Sequence, residues 1–148
     1  MDIDAQRARN VDVVRRLISA QGRRDAEAFL ATVTDDIVIA YPLKPPGHPE
    51  RIEGKERFAA YLAEIADGLP ELEVSGLEIH AGADPDYVVA EFRLAGGSPQ
   101  TGRVYDSNYM TSARFRDELI REYRMFYDPI SLLRAFGDES LLKEALGV

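Results

Sequence analysis

Between Glu71 and Tyr127 the chain reads as four strands in succession, and few folds accommodate such a run behind a helical start. The segments are Glu71 to Ala81, Tyr87 to Ala95, Thr101 to Phe115 and Leu119 to Tyr127. They are separated by Asp84-Pro85-Asp86, Gly96-Gly97-Ser98-Pro99 and Arg116-Asp117-Glu118, which is the turn chemistry expected between antiparallel strands. Upstream, residues 3–21 read as an amphipathic helix with Val11, Val14 and Ile18 on one face, stopped by Gly22. Asp25 caps a shorter helix through Ala31, with Phe29 and Leu30 as its buried side. Thr34-Asp35-Asp36 reads as a turn, and the β-branched Ile37-Val38-Ile39 as a strand.

Pro42, Pro45, Pro46 and Pro49 make the next stretch a stiff loop, because proline cannot donate to a helix or sheet ladder. A third helix follows Gly54, with Phe58, Leu62 and Ile65 on one face, and ends at Gly68-Leu69-Pro70. Asp128-Pro129 is an N-cap with proline at the first helical position, opening a helix that Gly137 stops. Leu141, Leu142 and Leu146 suggest a terminal turn or two. Helices collected ahead of antiparallel strands predict an α+β fold with the helices on one face of the sheet.

The length, 148 residues, suits one domain spanning 1–148. Eighteen Lys and Arg against 26 Asp and Glu leave a net charge of −8, the wrong sign for a nucleic-acid binder, and the pairs Arg15-Arg16 and Arg23-Arg24 are too short to reverse it. Without cysteine, thiolate metal sites and cysteine nucleophiles are excluded, and neither His48 nor His80 has a second histidine at ligand spacing, so no metal and no cofactor are expected. Met1-Asp2-Ile3-Asp4 is unlike a signal peptide, and no apolar run spans a bilayer, so a cytoplasmic protein without membrane association is expected.

Several pieces in this order carry a resemblance: Arg24-Asp25-Ala26-Glu27-Ala28-Phe29, Thr34-Asp35-Asp36-Ile37-Val38 and Ile52-Glu53-Gly54-Lys55-Glu56, then Tyr105-Asp106-Ser107-Asn108-Tyr109, Ile120-Arg121-Glu122-Tyr123-Arg124 and Asp128-Pro129. Together, from about Asn10 to Gly137, they resemble the nuclear-transport-factor-2-like superfamily and its SnoaL-like branch. Arg121 to Pro129 and Leu132 to Gly137 are most similar to phenazine biosynthesis A/B-type proteins. The resemblance implies a cone-shaped fold, a curved antiparallel sheet packed on N-terminal helices around an apolar pocket. It also implies relatives that are ketosteroid isomerases, polyketide cyclases, dehydratases or epoxide hydrolases, along with non-catalytic binding domains. The carboxylate and histidine positions of those relatives are changed here. Tyr41 stands in the isomerase base slot, Leu17 near the oxyanion-tyrosine slot, Met125 in the phenazine-type glutamate slot and Tyr61 near the helix-three histidine slot.

The candidate catalytic residues are Tyr41, His48 and Glu91. A neutral phenol at Tyr41 is a hydrogen-bond donor able to polarise a carbonyl, with a pocket-lining aromatic as the plainer role. His48 titrates near neutrality and could shuttle protons over a pocket, although a loop histidine is commonly a solvated side chain. Glu91 interrupts an apolar strand; it is either an acid–base group in a pocket or the partner of an arginine such as Arg103 or Arg121. Candidate ligand-binding residues are Phe58, Tyr61 and Leu62 on the third helix, Tyr105 and Tyr109 on one strand face, and Tyr123, Met125 and Tyr127 on another. Ile120 and Phe126 are expected on the opposite, outer face, where a homodimer would cover them.

Three functions follow from these readings. The first is a cofactor-independent enzyme of secondary or aromatic metabolism (isomerase, cyclase, dehydratase or epoxide-hydrolase type) acting on a hydrophobic, partly aromatic ligand. The second is a catalytically silent binding module. The third is a dimerisation domain with a filled cone.

Overall fold

The structure, a computed structural model, describes residues 2–137 and 139–148, so the reading at Met1 lies outside the described residues. Helix α1 (Ile3–Arg23) begins at Asp2, whose side chain accepts the Asp4 N–H. It buries Val13, Val14, Leu17 and Ile18 against the sheet. Asn10, fully buried on the same helix, donates to the Pro85 carbonyl at 2.7 Å and to Asp86 at 3.2 Å, tying α1 to a strand turn.

Gly22 does not stop α1. The helix continues to Arg23, and Gly22 lies in its last turn, where a β-carbon would come within 2.7 Å of Val74 and 2.9 Å of the Leu72 carbonyl. Close helix-to-strand approach, rather than chain termination, is what calls for glycine there. Arg24 takes the left-handed conformation instead, at φ 58°, and closes the helix by donating its backbone N–H to Ala20 and Gln21. Asp25 then caps α2 (Ala26–Leu30) through the Ala28 N–H, as expected.

The sheet has six strands in the order β2-β1-β6-β5-β4-β3. They are β1 (Val33–Ala40), β2 (Arg51–Glu53), β3 (Glu73–Ala81), β4 (Tyr87–Gly97), β5 (Val104–Arg116) and β6 (Leu119–Phe126). Strand β2 follows the proline loop and is too short to read from sequence. All pairs are antiparallel except β1 with β6, which run parallel. Thr34-Asp35-Asp36 is not a free turn but an irregular stretch within β1, and Asp36 makes a two-pronged ion pair with Arg116. Helix α3 (Lys55–Ile65) runs on into a 3₁₀ turn (Ala66–Gly68), and α4 (Pro129–Phe136) and α5 (Glu139–Leu146) close the described chain.

Register shifts interrupt β1/β6, β3/β4 and β5/β6, and such bulges bend a sheet and increase its twist. The concave side of the curved sheet holds the helices. The bulge between Arg114 and Phe115 on β5 also corrects one sequence expectation. Phe115 pairs with Ile120 and Arg114 with Glu122, so one extra β6 residue is inserted and the alternation changes phase. Ile120 therefore points inward with Tyr123 and is completely buried, whereas Phe126 keeps some exposure.

Candidate functional site

Inside the cone, between α1–α3, the sheet and α4, lies a cavity of about 750 Å³, a size suited to a small organic ligand. Each wall is set by local sequence. The period of two along β5 brings Tyr105 and Tyr109 to the concave face, and the same period brings Met125 and Tyr127 there from β6 and just beyond it. Helix α3 contributes Phe58, Tyr61 and Leu62, at helical spacing. Tyr41, at the end of β1, and His48, in the proline loop, complete the set of expected residues that line the cavity.

The aromatic wall is continuous. Phe92 stacks on Tyr109 at 5.3 Å, Tyr109 lies 5.5 Å from Tyr127, and Tyr127 meets Tyr41 edge-on at 6.3 Å. The Tyr105 and Tyr109 hydroxyls are 2.6 Å apart, so one donates to the other and the pair retains one O–H to offer. Burial raises the pKa of Tyr41, Tyr61, Tyr105, Tyr109 and Tyr127 above the ordinary phenol value of 10.0. These groups stay neutral and act as donors, not bases.

His48 is half-buried on a loop held by hydrogen bonds from Tyr41 N–H to Glu50, Lys44 N–H to Tyr41 and His48 N–H to Pro45. Burial, reinforced by the Lys44 ammonium, lowers its pKa below the usual 6.5. At neutral pH the imidazole is uncharged and able to accept a proton. The Asp25 carboxylate also borders the cavity, where it caps α2 and pairs with Arg23 at 3.5 Å. Glu64 borders it as well, exposed beside Tyr61.

Two expected residues lie elsewhere. Glu91 alternates with the buried Ala90 and Phe92 and so projects from the outer face of β4. Its cross-strand neighbours are Glu78 and Met110, not Arg103 or Arg121, and it stands exposed with Glu78 and His80, their ligand atoms within 4.8 Å of one another. That grouping spans two strands and has no signature in sequence spacing. Tyr123 shares the concave face but lies beneath the cavity wall, fully buried, edge-on to Phe29 at 6.2 Å and donating to Gln21 at 3.4 Å. It is a core residue. Leu17, near the oxyanion-tyrosine slot, is likewise packed in the core.

Gln21 and Arg24 of the α1 end, together with Leu132 and Phe136 of α4, line the cavity without having been singled out from sequence. A signal for Arg24 was available. With Asp25 committed to capping α2, the residue before it must make the turn between the helices, and that places it at their shared mouth. Gln21 donates to the Met125 sulfur at 3.4 Å, so the thioether packs beside a polar group of α1.

A curved sheet wrapped on helices around a tyrosine-walled cavity defines a cone-shaped fold with an internal pocket. The chain belongs to the SnoaL-like domain family, within the nuclear-transport-factor-2-like fold; the family profile matches residues 14–123. It is 26% identical over 136 residues to the uncharacterized protein YesE of Bacillus subtilis (strain 168), covering 92% of each chain. It is 29% identical over 113 residues to an uncharacterized PhzA/B-like protein of Pseudomonas aeruginosa, covering 76% of this chain and 79% of that one. Among solved structures, a Bacillus subtilis protein provisionally named an isomerase superposes with a TM-score of 0.80 at 25% identity, covering 93% of this chain and 98% of its own. Other similar proteins are a Xanthomonas campestris structure provisionally named a polyketide cyclase, with a TM-score of 0.75 at 22% identity, and a dehydratase of Aspergillus candidus, 33% identical over 87 residues that cover 56% of this chain and 51% of that one.

Met125→Glu places a carboxyl in the cavity wall, at the position where the resemblance to phenazine-type proteins implies a glutamate. The side chain is buried, so the variant is expected to fold with a stability loss of about 1–3 kcal/mol, the usual range for an imperfectly satisfied buried polar group. The ionised form is the disfavoured one, so the loss should grow as pH rises from 4 to 7. Urea denaturation across that range measures it, and a variant as stable as wild type throughout would contradict the inward placement of Met125.

Proposed function

We propose that this chain, as one unit over 1–148, is a cofactor-independent enzyme that moves a proton beside a carbonyl or similar electrophile. The reaction is of isomerase, cyclase, dehydratase or epoxide-hydrolase type, on a hydrophobic, partly aromatic substrate. The observation that carries this reading is a neutral imidazole, His48, on the same cavity as a wall of neutral phenols. His48 accepts the substrate proton, and the tyrosine donors stabilise the negative charge that develops on oxygen. Tyr41 acts as one donor, and the free O–H of the Tyr105–Tyr109 pair as another.

The experiment is deuterium exchange at the carbon next to the carbonyl of 2-tetralone, followed by NMR in D₂O. Exchange well above the rate in buffer is expected. Binding of 2-tetralone without exchange would favour the second reading, a silent binding module, which the altered residues Tyr41 and Met125 support.

The outer sheet face carries exposed Met110 with part-buried Val89 and Phe126, and we propose that two copies pair there. Sedimentation equilibrium at micromolar concentration is expected to give twice 16.5 kDa, and a monomer would refute the pairing. No helix among the described residues is long and apolar enough to cross a membrane.

A further inference from the structure

Most arginines whose contacts are defined in this structure face a carboxylate, as Arg16 faces Asp12, Arg93 faces Asp106 and Arg116 faces Asp36. These pairs are on the surface. Arg24 is the contrast. It lines the cavity, and burial lowers its pKa, yet its side chain makes one hydrogen bond, from Nε to the Pro70 carbonyl at 3.2 Å. Its two terminal nitrogens have no acceptor among the described residues. The acids bordering the cavity do not serve it, because Asp25 is engaged with α2 and Arg23 and Glu64 is exposed beside Tyr61. In a chain where acids outnumber bases 26 to 18, a part-buried guanidinium without a carboxylate is a conspicuous omission.

The backbone adds a second, independent sign. Arg24 sits at φ 58°, a conformation costing an ordinary residue about 1 kcal/mol, where glycine or asparagine would be comfortable. The cap uses only the backbone N–H of Arg24, so nothing in the turn itself calls for a guanidinium. That side chain lines the same cavity as the phenols Tyr41, Tyr61, Tyr105 and Tyr109. With the spare O–H of the Tyr105–Tyr109 pair, the cavity offers a hydrogen-bond donor besides the Arg24 guanidinium.

We infer that Arg24 anchors a carboxylate, so that the substrate class of this cavity is an aromatic or alicyclic carboxylic acid. The inference rests on the cavity being the substrate site, as proposed above. The guanidinium edge left free by the Pro70 contact takes the two carboxylate oxygens, and the apolar body of the ligand lies along Phe58, Leu62 and Tyr127. A neutral isostere would leave the cation unpaired, and an amine would meet a second positive charge.

The test compares 2-naphthoate with 2-naphthamide, which share a shape and differ in charge, by isothermal titration calorimetry. Wild type is expected to bind the acid at least tenfold tighter, the usual margin for a charge-assisted pair. Arg24→Met is expected to erase that preference while holding the amide within about threefold, which also shows that the cavity is intact. Arg24→Asn is the second variant, because asparagine accepts the left-handed backbone. Equal affinity of wild type for the two ligands, or a preference that survives both substitutions, would overturn the carboxylate anchor and leave the small-molecule site standing. Binding of neither compound would overturn both. Deuterium exchange into 2-tetralone, which bears no carboxylate, reports on the catalytic reading separately.

Discussion

His48→Gln is expected to slow the exchange reaction about 100-fold at pH 7, within the usual range for losing a general base. Glutamine keeps the size and a hydrogen-bonding group but cannot take the proton, so KM should change little and kcat should carry the loss. The pH profile is the sharper measurement. Burial and Lys44 hold the imidazole pKa below 6.5, so wild-type kcat/KM should be flat through neutrality and fall only on the acid side of that value. In the variant that acid limb should vanish, and added imidazole should restore part of the rate. The same shift predicts a stability effect. The unfolded chain takes up the His48 proton more readily than the folded one, so stability is full above pH 6.5 and declines as pH falls through it. An unchanged rate with an unchanged acid limb would remove His48 from the mechanism.

Gly22→Ala is expected to destabilise the protein, against the helix-propensity trend. Alanine in a helix interior is favoured over glycine by about 1 kcal/mol. Here the added β-carbon would meet Val74 at 2.7 Å and the Leu72 carbonyl at 2.9 Å, and Leu72 N–H donates to the Gly22 carbonyl at 2.8 Å. A backbone oxygen cannot rotate away as a side chain can, so α1 must move off β3. Overpacking of this kind costs about 1–3 kcal/mol and more where backbone is involved, leaving a net loss of about 2 kcal/mol. For a chain of this length that is roughly 4–8 °C in Tm by scanning calorimetry. Gly97→Ala is the control, with open space at its β-carbon and an ordinary φ, and its Tm should stay close to wild type. A Gly22→Ala protein that melts higher than wild type would show that the helix is free to shift. The cavity mouth, built on the same turn of α1 by Gln21 and Arg24, would then be less rigid than the packing implies.

Much of the fold was legible because its signals are local. Caps at Asp25 and Asp128, the proline loop and the spacing of turn residues act within a few positions, and they placed the helices and five of the six strands, β1 only in its second half, close to where they lie. The period of two also sorted Tyr105, Tyr109, Met125 and Tyr127 to one side. It failed at Ile120, because a single inserted residue on β6 changes the phase of every side chain before it and leaves no mark in composition. Glu91 was misplaced for a related reason: a charged residue in an apolar strand reads the same whether it enters a pocket or faces solvent, and only its pairing with β3 and β5 decides.

By itself, then, the sequence determined the α+β class, the order of elements and the aromatic wall, since each follows from neighbours along the chain. The tertiary structure decided the rest. It made Gly22 a packing contact, carried Tyr123 into the core, set Glu91 outside the cone and brought Arg24, at the link between two helices, to the wall of the tyrosine-lined cavity. Those outcomes depend on which distant backbone lies opposite a residue and on whether a charge finds a partner there, and neither is written in the spacing of a single strand or helix.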